Sequence, residues 1–173
     1  VRLTLNSQLQ TRAQESLAEY VGSVVVVDTR TGEVLALASS PVYTSATVTQ
    51  DWPALSAAVS SPFLNRATQA LAQPGTSLQP FILASALQRD PSWAPMGEIS
   101  RTIAINGTAV GCRIAPSDLG WQALLTAGCP APFAEVARQL GNSTFTEEMA
   151  RWGFLDAPGL TIPTVAVDLG QRQ

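Results

Sequence analysis

Apolar residues recur at Leu9, Ala13, Leu17 and Val21, a spacing of four that lines one stripe of a helix. Residues 3–5 read as a short extended entry, Asn6 or Ser7 is placed to cap this helix, and Gly22 is placed to stop it. Two β-runs follow at residues 23–28 and 34–39. Gly32 sits between them where a hairpin turn needs a positive φ. The unbroken run Val24-Val25-Val26-Val27 predicts a strand covered on both faces. Residues 40–62 are rich in Ser, Thr, Pro and Ala and read mostly as loop, with Trp52 either anchoring it to the core or lining a groove.

Pro74 and Gly75 break the chain again, and Leu78, Phe81, Ile82 and Leu87 then form a second helical stripe. Thr76 or Ser77 would cap that helix, and Pro80 falls in its first turn, where a missing N–H is tolerated. Residues 89–99 read as an exposed connection. Residues 102–110 alternate around Asn106-Gly107, a second hairpin signal. Helices are predicted at 118–126 and 131–140, interrupted by Ala127-Gly128-Cys129-Pro130 and ended by Gly141. Thr144 and Glu147 make a capping-box pattern for a third helix that Gly153 closes.

Composition narrows the chemistry more than the fold. The 173 residues are 46% hydrophobic and only 13% charged, which suits a packed domain rather than a disordered chain. The net charge is −3 and there is no basic run, so nucleic acid is not an expected partner. No apolar run reaches the roughly 18 residues of a membrane span and no signal-peptide pattern opens the chain. There is no His, and all ten basic residues are Arg. His-based triads, His metal sites, Walker lysines, Schiff bases and Ser–Lys pairs are therefore not available from this chain. Two Cys cannot make a four-Cys zinc site, and neither metal nor cofactor is expected.

The stretch Asn65-Arg66-Ala67, a spacer, then Pro74-Gly75-Thr76-Ser77-Leu78-Gln79-Pro80-Phe81 resembles the nucleophile segment of the penicillin-binding protein transpeptidases, Asn-Arg-Ala … Pro-Gly-Ser-x-Phe-Lys-Pro. A Pro-Gly turn and a buried helix would suffice to explain the same stretch. A second likeness is independent of it: Val24 to Asp28 and Thr31 to Ala36 are similar to the Val-Val-Val-Leu-Asp-x-x-Thr-Gly-Glu-Val-Leu-Ala hairpin that opens the family's sheet. The chemistry-bearing positions depart from the pattern. Thr76 stands where the family has its nucleophilic Ser, and Gln79 where it has the Lys that takes the Ser proton. A base three residues on lies one helical turn away, which suits proton transfer, but an amide cannot act as a base. Ser77, the alternative nucleophile, has Pro80 at that spacing. In the family's second motif, Ser-x-Asn, Gly128 and Pro130 replace the Ser and the Asn. A plain helix break at Gly and Pro explains them equally well. The third motif, Lys-Ser/Thr-Gly, has no counterpart.

The resemblance implies an α/β (α+β) fold, helices packed around a partial antiparallel sheet, forming one domain over residues 1–173 that lacks the family's last strands. It implies an extracytoplasmic location, with any membrane anchor outside this sequence. The role expected from it is non-catalytic, a cell-wall module or scaffold that binds peptidoglycan stem peptides or wall-synthesis proteins. The alternative is an active transpeptidase using Thr76 or Ser77 with a base supplied from elsewhere. In such a setting the even Cys count implies a Cys112–Cys129 disulfide. A lone hairpin at residues 23–39 leaves a Val-rich edge that invites a second copy or another partner; residues 161–167 could supply one substitute strand but not several, and the alternative is that helices close over a small sheet.

Overall fold

The computed structural model describes residues 3–46, 48–93 and 102–167; the second half of the connection expected at 89–99 lies outside them. The chain divides into two compact units, Val1–Leu71 with Ala157–Gln173, and Ala72–Asp156. Within them helices pack on antiparallel hairpins, the α/β class expected from the sequence.

In the first unit helix α1 (Ser7–Ser16) is capped by Asn6, whose side chain accepts from the Leu9 N–H at 3.1 Å. It ends at Leu17, before the predicted stop: Gly22 begins strand β1 (Gly22–Val27), and Val21 is exposed. Strand β2 (Val34–Ser40) pairs antiparallel with β1, Val25 opposite Leu37, and Gly32 turns the hairpin at φ +75°. Ala13 and Leu17 of α1 bury Ala36 and Ala38 of β2, with Val24 and Val26 packed at the margin. This layer covers one face only. Val25 and Val27 are 45% and 46% exposed, so the Val run alternates rather than being buried on both sides. A run of β-branched residues reports strand propensity, not the number of covered faces.

The stretch predicted as loop contains helix α2 (Val48–Ala57), with Pro53 inside it and no buried residue. Trp52 stays exposed and meets Phe63 at 5.1 Å, which meets Tyr43 at 4.8 Å, so it belongs to an aromatic cluster on this segment. Asn65 caps the short helix α3 (Arg66–Gln69). The Arg66 guanidinium donates to the carbonyls of Ser60, Ser61 and Leu64 and closes the preceding loop. Residues 161–167 form no strand. They are tied to α3 through the Val165 N–H, which donates to the Thr68 carbonyl at 3.0 Å.

In the second unit a 3-10 turn (Gly75–Leu78) runs into helix α4 (Gln79–Arg89). Strands β3 (Thr102–Ile105) and β4 (Thr108–Gly111) form the hairpin predicted by Asn106-Gly107, both at positive φ. Helix α5 (Trp121–Thr126) starts later than expected, while α6 (Pro130–Leu140) follows the pattern. Helix α7 (Asn142–Arg151) begins two residues before Thr144, directly after Gly141, so Thr144 is inside the helix and caps nothing. Leu83, Leu124, Ala127, Cys129 and Phe133 form the core of this unit.

Candidate functional site

Gly75 adopts φ +57°, which lets the chain turn sharply after Pro74 and enter the 3-10 turn. Thr76 and Ser77 sit in that turn, both exposed. Neither caps α4: the cap residue is Leu78, with no side-chain bond. The Ser77 hydroxyl instead donates back to the Pro74 carbonyl at 2.5 Å. The 3-10 turn has taken up the geometry that a side-chain cap would otherwise serve, since its own bonds satisfy the entering N–H groups. Gln79 follows one turn later, its backbone N–H donating to the Thr76 carbonyl. Pro80 lies in the first turn of α4, as the sequence predicts.

Gln79 is only 5% exposed. Its Nε2 donates to the Cys129 carbonyl at 3.0 Å, and its Oε1 is buried with no partner among the described residues. Cys129 ends the turn between α5 and α6, where Gly128 adopts φ +61°. A Cβ on Gly128 would stand 3.5 Å from Thr76 Cγ2 and 3.6 Å from Arg113 Cβ. Thr76 thus lies beside Gly128, and Gln79 is bonded to Cys129. Pro130 is the first residue of α6 and offers no polar side chain. Asn65 and Arg66, from the same sequence stretch, belong to the first unit.

The 127–129 turn is tied from several sides. The Cys112–Cys129 disulfide joins it to the residue that follows β4, and the N–H groups of Arg113 and Ile114 donate to the Ala127 carbonyl at 2.9 and 3.3 Å. Sequence reasoning had no means of finding the Gln79–Cys129 bond. The acceptor is a backbone carbonyl 50 residues away, and no side-chain pattern marks it.

Helix α4 carries a second polar cluster. The Ser85 hydroxyl donates to Glu148 at 3.1 Å and accepts from the Trp152 indole N–H at 3.2 Å. Glu148 also receives Arg151 at 2.6 Å and Arg89 at 3.3 Å. The Arg151 hydrogen bond, chiefly, holds the Glu148 carboxyl below its ordinary range, against the opposing pull of burial. The cluster joins α4 to α7. A depression of about 560 Å3 on the same unit, lined by Ile114, Asp118, Trp121 and Thr126 among others, includes none of the site positions.

Residues 22–92 match the penicillin binding protein transpeptidase domain. Peptidoglycan D,D-transpeptidase MrdA of Escherichia coli strain K12 is 35% identical over 108 residues, covering 54% of this chain and 17% of the relative. MrdA of Acinetobacter baumannii is 26% identical over 172 residues, covering 94% of this chain and 26% of the relative. Penicillin-binding protein A from M. tuberculosis, solved as an imipenem acyl-enzyme, superposes with a TM-score of 0.76 at 22% identity, over 94% of this chain and 42% of that one. The fold is thus that of penicillin-binding protein transpeptidase domains. Over residues 22–92 the chain is similar to the penicillin-binding protein transpeptidase family. It spans about a quarter or less of the length of these two curated relatives and under half of the solved one.

Proposed function

We propose that this chain is a non-catalytic member of the family, an extracytoplasmic module that binds peptidoglycan stem peptides and serves cell-wall synthesis without performing acyl transfer. One observation carries the reading. The residue one helical turn after the candidate hydroxyl is Gln79, a buried amide committed to the Cys129 carbonyl, in a chain with neither Lys nor His. A hydroxyl without a positioned base loses roughly 10²- to 10⁴-fold in rate from that change alone. Ser77 is no better placed, because its proton is directed to the Pro74 carbonyl. Gly128 and Pro130 add no hydroxyl and no amide.

The names of the relatives point to peptidoglycan as the ligand. The disulfide agrees with an oxidising compartment. Among the described residues no helix is long and apolar enough to cross a membrane. Titration with soluble stem peptides, followed by amide NMR, tests the binding part of the proposal. The expected result is saturable shifts at Thr76, Gly128 and Cys129 with the peptide recovered at unchanged mass. Unperturbed amides at those positions at millimolar peptide, or peptide turnover, would overturn it.

A further inference from the structure

A Cβ placed on Gly128 would meet two side chains, Thr76 at its Cγ2 and Arg113 at its Cβ, at 3.5 and 3.6 Å. Both residues therefore lie within one contact distance of the same point. Thr76, Gln79, Gly128, Cys129 and Pro130 are all uncharged. Arg113 brings the one charge to the residues that meet there.

The position of Arg113 is fixed by its backbone. Its N–H donates to the Ala127 carbonyl at 2.9 Å, the Ile114 N–H reaches the same carbonyl at 3.3 Å, and Cys112 is covalently joined to Cys129. These ties fasten residues 112–114 to the 127–129 turn, so the root of the Arg113 side chain keeps its place beside Gly128. Gly128 contributes no side chain that would fill the space between Thr76 and Arg113. Elsewhere in the described residues the guanidinium groups are engaged. Arg12, Arg30, Arg89, Arg138 and Arg151 pair with carboxylates, and Arg66 bonds backbone carbonyls. Arg113 makes no such bond among the described residues. The nearest carboxylate along the chain, Asp118, instead accepts from the Gly120 N–H at 2.7 Å and the Ser117 hydroxyl at 3.1 Å.

A guanidinium presents a planar fork of N–H donors that matches the two oxygens of a carboxylate. A peptide carries that group at its C-terminus and on acidic side chains. We propose that Arg113 binds a carboxylate of the peptide ligand and so selects which peptides the 76–79 site accepts. This inference rests on the peptide-binding reading above, to which it adds a residue and the group that residue holds.

Arg113→Gln and Arg113→Lys test it, since both keep the backbone N–H that bonds Ala127. Wild type and variants are titrated with the soluble stem peptide, and with forms of it amidated at the C-terminus or at side-chain carboxylates, following the Gly128 and Cys129 amides by NMR. Arg113→Gln is expected to weaken the unmodified peptide about 5- to 10-fold, between the effect of an exposed ion pair and that of a charged hydrogen bond. Arg113→Lys keeps the charge without the fork and is expected to fall between wild type and Arg113→Gln. One amidated form is expected to lose affinity for wild type to the same extent and to lose nothing further in Arg113→Gln; which form does so identifies the carboxylate. A purely structural role for Arg113 would not produce that coincidence. Equal affinity of wild type and Arg113→Gln, indifference of wild type to both amidations, or an amidation penalty that persists in Arg113→Gln would overturn the assignment and leave the binding reading standing. A wild-type chain that binds no peptide would overturn both.

Discussion

Gly128 shows how far the departure from the family pattern reaches beyond the two reactive positions. The space around it admits a Cβ at ordinary contact distance from Thr76 and Arg113, but its φ of +61° resists one. Gly128→Ala is expected to lower stability by about 1–2 kcal/mol, read as a shift of the denaturant midpoint with unchanged slope. A neutral outcome would mean that the turn relaxes to a negative φ. The same backbone explains what the sequence could tell about the site. Pro74-Gly75 and the spacing to Thr76 and Gln79 were legible because turn chemistry and helical periodicity are local. The burial of Gln79 was not, since a Gln in the first turn of a helix is ordinarily exposed and its partner lies 50 residues away.

At the scale of elements, α4 is held to α7 by the Ser85–Glu148–Arg151 cluster and by the rings of Phe81, Trp152 and Phe154 at 4.9–5.3 Å. Glu148 is 12% exposed at its side chain, so replacing it with Gln removes the charge and one of the two oxygens that the Ser85 hydroxyl and two guanidinium groups share. Glu148→Gln is expected to cost about 1–3 kcal/mol at neutral pH. Its folded-state carboxyl titrates below the ordinary 4.5, so its contribution is complete above that value and is lost as pH falls through the lowered one. The wild-type chain should therefore lose more stability than Glu148→Gln on acidification below 4.5. Parallel pH profiles for the two proteins would contradict this. Both hairpins were legible from Thr-Gly and Asn-Gly turns between β-runs. Helix α2 was hidden by Pro53 and a Ser/Thr-rich context, and the exposed face of β1 by a Val run that looks the same whether one face is covered or two.

For the whole molecule, each of the two units has its own core, and the site positions 76, 79, 128 and 130 all fall in the second. Its disulfide closes a loop with a sequence separation of 17, worth about 3 kcal/mol by the loop-entropy estimate. That bond fastens the carbonyl to which Gln79 is committed. Gln79, a buried amide, is thereby held one helical turn after Thr76. Incubating the chain with a reactive penicillin and weighing the intact protein tests this most directly. The account predicts an unchanged mass, because neither the Thr76 nor the Ser77 hydroxyl has a group placed to take its proton. A stoichiometric adduct that disappears in Thr76→Val or Ser77→Ala would contradict it.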